Sequence, residues 1–114
     1  MARDFWSYIA VWQGERLRTL ALGRPFSIVA LSDSVVTIRL GLSGHLRRIR
    51  RAELEGAYAD LLEHGEISAN WIRRKHAPWN SSFVSALLAR LPEVQYDLRP
   101  IRLVHRGRSA TLFG

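Results

Sequence analysis

The chain has 114 residues, 47% hydrophobic and 24% charged, enough for one compact core and too short for two. It holds no Cys, which excludes disulfides, thiolate metal sites and a thiol nucleophile. Seventeen basic against ten acidic residues give a net charge of +7, which favours an anionic partner; all but Lys75 of the basic set are Arg, a bias that a GC-rich genome produces equally well.

Residues 3–13 place Phe5, Ile9 and Trp12 at i, i+4 and i+7, which predicts an amphipathic helix that loosens at Gly14, with Leu17 and Leu20 in phase for a continuation as far as Gly23–Pro25. From Phe26 the period becomes two. Phe26, Ile28 and Ala30 fall on one face, Ser32–Ser34 make a turn, and Val36, Ile38 and Leu40 follow. A second turn at Ser43–Gly44 leads into "HLRRIRR", a third strand on which Arg48 and Arg50 share a face with Leu46, opposite Arg47 and Ile49. Residues 26–50 are therefore expected to form an antiparallel β-meander.

Leu54, Tyr58, Leu61 and Leu62 then return to helical spacing, Glu53 and Glu55 occupy the favourable first turn, and Gly65 supplies the stop, so a helix is expected over 52–63. Ser68 is placed to cap a short helix, 69–75, with Trp71 and Ile72 inward and Arg73, Arg74 and Lys75 at its end. Asn80 or Ser81 caps the next helix, which Pro92 ends. Its apolar rows are Phe83, Leu87, Leu91 and Val84, Leu88, and its outward edge is Ser82, Ser85 and Ala89. The tail, "PIRLVHRGRSATLFG", reads as strands 101–105 and 109–113 joined at Arg106, Gly107 and Arg108. The expected class is α+β, one domain over 1–114, with an N-terminal helix and meander in 1–50 and a trihelical unit with a C-terminal hairpin in 51–114.

Three helices, the last two joined by a short loop, followed by a hairpin with Arg at its tip: this order over 51–114 resembles the winged helix-turn-helix family. The resemblance implies that 80–91 is a recognition helix presenting Asn80, Ser81, Ser82 and Ser85 to DNA, with 100–113 a wing setting Arg106 and Arg108 on phosphates. The helix carries no Arg, Lys or Gln on its outward face before Arg90, so base discrimination is expected to be modest. "NSSFVSALLARLPEV" after "ELEGAYADLLEHGEIS" is also similar to bacterial helix-turn-helix-like modules attached to nuclease or genome-defence proteins.

Further phosphate contacts are expected from Arg47 and Arg48 and from Arg73, Arg74 and Lys75. The plainer readings are a charge-protected edge strand for the first pair and cations at a helix end for the second set. Phe5, Trp6, Tyr8 and Trp12 crowd the N-terminal helix, as core against the meander or as a surface for a homodimer or protein partner. His45, His64, His76 and His105 lack ligand spacing, and no phosphate loop, nucleophile elbow or carboxylate pair occurs, so no catalysis, cofactor or metal is expected. With no apolar run of roughly 18–20 residues and no signal-peptide cleavage pattern, the expectation is a cytoplasmic protein with no membrane role. It is read as a non-catalytic binder of nucleic acid, DNA more than RNA, the alternative being a protein-interaction module of a larger assembly.

Overall fold

The computed structural model describes residues 5–106. Helix α1, Phe5–Val11, buries Phe5 and Ile9, and Trp12 is buried just past its end, as the spacing predicts. Gly14, at φ 88°, turns the chain out of the helix. The helical continuation does not form: Arg16–Arg18 is a strand, β1, paired antiparallel to β2, Pro25–Leu31, with Leu17 opposite Phe26. Alternation of Arg, Leu and Arg suits a strand with one wet face, and the edge of β2 supplies its hydrogen bonds.

Strands β3, Val35–Leu40, and β4, Leu46–Arg50, complete the meander, and the sheet order is β1-β2-β3-β4. Ser32 Oγ accepts from the backbone N–H groups of Ser34 and Val35 and shapes the expected turn. Phe26, Ile28, Val36 and Ile38 are buried as expected. Ala30 is not: the register shifts between Ile28 and Ala30, and this bulge turns Ala30 to solvent.

Helix α2, Arg51–His64, buries Leu54 and Leu61 and ends at Gly65, whose φ of 81° is the left-handed stop that glycine supplies without strain. Glu66–Ser68 is a short strand, β5. Ser68 Oγ then accepts from the Trp71 N–H to start helix α3, Ala69–Lys75. Helix α4 is Ser81–Ala89, and β6, Val94–Leu98, and β7, Ile101–His105, follow it. The hairpin therefore differs from the expected one. Its arms are 94–98 and 101–105 joined across Arg99–Pro100, and β7 lies between β5 and β6. Residues 109–113 and Arg108 lie outside the described residues.

One hydrophobic cluster runs through both halves of the chain. Phe26 on β2 meets the ring of Phe83 on α4 edge-on at 5.2 Å, and Phe5 on α1 stacks on Tyr58 of α2 at 5.0 Å. Among the described residues no helix is long and apolar enough to cross a membrane.

Candidate nucleic-acid interface

The start of α4 was expected to face a ligand, and most of it faces inward. Asn80 is only 7% exposed, and its amide donates to Arg48 O at 3.2 Å and to the Glu53 carboxylate at 3.2 and 3.4 Å. Glu53, itself buried, also accepts from the Arg50 N–H at 2.8 Å. Asn80 thus occupies the cap position but spends its side chain on fastening α4 to the β4–α2 junction. Ser85 is 1% exposed, and its Oγ has no hydrogen-bond partner among the described residues. Ser81 is half-buried and Ser82 exposed, while the Ala89 edge is half-buried.

The meander packs on the front of α4, where Phe26 and Arg47 both lie against Phe83, and Ser85 is buried on the edge that periodicity alone assigns to solvent. Ser85→Ala removes an unpaired buried hydroxyl and improves helix propensity, so it should stabilise the protein by about 1 kcal/mol. Thermal melting would then show a rise of roughly 4–8 °C.

The basic residues also separate. Arg47 belongs to the inner face of β4, opposite Ile38; its guanidinium lies 5.6 Å from the Phe83 ring centroid and donates to Trp79 O at 3.0 Å. Arg48 points to the opposite, open face, as alternation predicts. On α3, Arg73 donates to Asn70 Oδ1 and Lys75 sits 5.2 Å from the Trp71 ring centroid, so these two lie against their own helix, and Arg74 is exposed. Arg106 donates to Pro92 O, beyond the C-terminal end of α4 and away from Asn80 and Ser82. Arg106 and the start of α4, which the winged-helix resemblance sets against one DNA, therefore lie at opposite ends of that helix.

What the structure assembles instead is the open face of the four-stranded sheet. Residues paired across antiparallel strands share a face. Arg16, Ser27, Arg39 and Leu46 make one row; Thr37 and Arg48 make another, Val35 and Arg50 a third, and Arg18 with Pro25 a fourth on the other side. All five arginines are exposed. At roughly 4.8 Å between strands and 3.4 Å per residue, Arg18, Arg16, Arg39, Arg48 and Arg50 describe a diagonal band about 25 Å long.

No Asp or Glu occurs on any of the four strands. Glu15, next to β1, is held by Arg90 at 2.8 Å. Arg50 lies 3.7 Å from Glu53, and Arg18 donates to Gly23 O, whereas Arg16, Arg39 and Arg48 have no ion pair or side-chain hydrogen bond among the described residues. Of the band, Arg48 and Arg50 lie in the densest basic run of the sequence, "HLRRIRR". Arg16, Arg18 and Arg39 are isolated in the chain and become neighbours only through strand pairing; the alternation of Arg with Leu17 and Ile38 is the signal that could have found them.

The acidic side of the molecule is α2. Asp60, Glu63 and His64 have ligand-type atoms within 4.8 Å of one another. Asp60 Oδ2, however, already accepts from Trp71 Nε1 at 2.8 Å and lies 2.6 Å from His76 Nε2. Gly56 allows this approach, since a Cβ there would come within 2.6 Å of His76 Nδ1. The Trp71 and His76 hydrogen bonds hold the Asp60 carboxyl below its ordinary pKa. A lowered folded-state value means that the stabilisation is present above the unfolded pKa near 3.9 and disappears as pH falls through the lower folded value. Asp60→Asn should therefore be less stable than the parent at pH 7, by an amount that shrinks below about pH 4. Urea unfolding of both proteins across that range measures it. On the other side of α2, burial and the Glu93 carboxylate push the Tyr58 phenol up to about 12, and it donates to Glu93 at 3.0 Å.

No family model matches the chain, and neither a curated protein nor a solved structure matches it.

Proposed function

We propose that this protein is a non-catalytic nucleic-acid-binding protein that holds the phosphate backbone, of duplex DNA in the first instance, on the open face of its four-stranded sheet. The observation that carries the reading is the set of Arg16, Arg39 and Arg48, exposed on one face, unpaired among the described residues and free of acidic neighbours on the strands. Guanidinium groups in such a field attract phosphate and release its counterions. Phosphate contacts carry no base information, so selectivity should be modest.

The succession of α2, α3 and α4 followed by the β6–β7 hairpin supports the winged helix-turn-helix resemblance, with the tip at Arg99–Pro100. In this chain the meander covers α4, and we assign binding to the meander's outer face rather than to insertion of that helix.

The test is fluorescence anisotropy with labelled duplex DNA, duplex RNA and single strands between 50 and 200 mM salt. With three phosphates engaged, the logarithm of the affinity for duplex DNA should fall with log salt at a slope of about −2.7 or steeper. Absence of binding at 50 mM salt, or affinity indifferent to salt, overturns the reading.

A protein-docking role draws on Trp79, which is 84% exposed, and on exposed Leu42 and Leu46. The N-terminal helix lends it little, since Phe5, Ile9 and Trp12 are in the core and Trp6 donates to Ser32 O with the Arg51 guanidinium over its ring.

A further inference from the structure

One end of the arginine band is concave. A hollow of about 460 Å³ opens on the outer face of the sheet, lined by Arg16, Arg18, Ser27 and Arg39 and by the bare backbone of Gly41 and Gly44. Arg16 and Arg39 stand on either side of Ser27 in one cross-strand row, so a group seated over Ser27 lies between two guanidiniums. The Ser27 hydroxyl makes no hydrogen bond among the described residues and is available to donate. Arg18 reaches the same hollow from the next row, steadied by one hydrogen bond to Gly23 O that leaves its other N–H groups unused. Towards β4 the band continues through Arg48 and Arg50; at the other end the strands give out just past Arg18, at the β1–β2 turn that carries Arg24 and at the β3–β4 turn.

We propose that this hollow binds a terminal phosphate of a nucleic-acid strand whose internal phosphates follow the rest of the band. The inference rests on the nucleic-acid reading above and adds strand-end recognition to it. A backbone diester carries a single negative charge and is matched by one arginine. A terminal monoester carries about −1.5 to −2 at pH 7, since its second pKa is near 6, and offers three acceptor oxygens. Three guanidiniums and a hydroxyl around one hollow suit the second group better than the first. An added Cβ at Gly44 would meet nothing within 4 Å, so the approach is open on that side, whereas Gly41 is packed against Pro25.

The experiment compares three otherwise identical oligonucleotides, ending in a 5′-phosphate, a 3′-phosphate or hydroxyls only, by anisotropy competition at 0.1 M salt. A phosphorylated end should bind about tenfold or more tightly than the hydroxyl form, and the 5′ and 3′ arms identify which end is taken. The preference should fall as pH drops below about 6, where the monoester loses its second charge. Ser27→Trp, which fills the hollow on a strand position tolerant of aromatics, should bring the ratio close to one. Arg18→Gln, a milder change, should lower the same ratio and serves if the first variant folds poorly. Equal affinity for all three oligonucleotides overturns end recognition while leaving backbone binding in place. A ratio unchanged in both variants removes the hollow from the account, and failure of all three to bind overturns the nucleic-acid reading as well.

Discussion

Replacing Arg16, Arg39 and Arg48 together by Ala should make the salt dependence of duplex DNA binding shallower by about 2.7 in logarithmic slope, and by about 2 for single strands. At 0.1 M salt that corresponds to a loss of affinity on the order of 500-fold, because each of the three lost phosphate contacts contributes about 0.9 logarithmic unit there. The fold should tolerate the change, since all three side chains are exposed on the outer face and bond to no other side chain among the described residues. Arg73→Ala with Arg74→Ala is the control. These residues sit on α3, apart from the sheet, and their loss should move the slope by less than half as much. Were the triple variant to keep the parental slope, the sheet face would not be the binding surface.

Asn80→Ala should have its largest effect on stability. The side chain is buried and bridges Arg48 O and the Glu53 carboxylate, and its removal leaves a buried charged acceptor short of a donor. Hydrogen bonds to charged groups contribute about 1.5–3 kcal/mol each way of counting, so unfolding in urea should show a loss of roughly 2–4 kcal/mol. Below the melting temperature, the folded variant should bind nucleic acid with nearly the parental salt slope. A groove-reading Asn would behave in the opposite way, with binding lost and stability little changed. The two measurements on one variant therefore decide whether this residue is a fastener or a contact.

Much of the secondary structure was legible because the signals were local. Gly65 at positive φ, Ser68 as a cap and the Ser32–Ser34 turn each act within a few residues of where they stand. The strand alternation around Ile49 likewise placed Arg48 and Arg50 opposite Arg47. The misreadings share a different cause. Leu17 and Leu20 are in helical phase with α1, but the free edge of β2 captured Arg16–Arg18. Ser85 lies where an isolated helix would face water, but tertiary packing around α4 buries it. For Ile101–His105 the period gives a strand but not its partners, which are β5 and β6. In each case a partner distant in sequence decided the outcome, and period and capping carry no information about such partners. The arginine band was hidden for the same reason, since its members are scattered from 16 to 50 and register alone aligns them.

The packing of the meander on α4 has a consequence for synthesis on the ribosome. Ile28, Ile38 and Ile49 emerge well before Phe83 and Leu88, the side chains of the helix that helps bury them. At roughly 5–20 residues per second, the nascent sheet waits several seconds with that apolar face incompletely covered. During the wait, like charge on its arginine-bearing side should repel other nascent copies and oppose clumping.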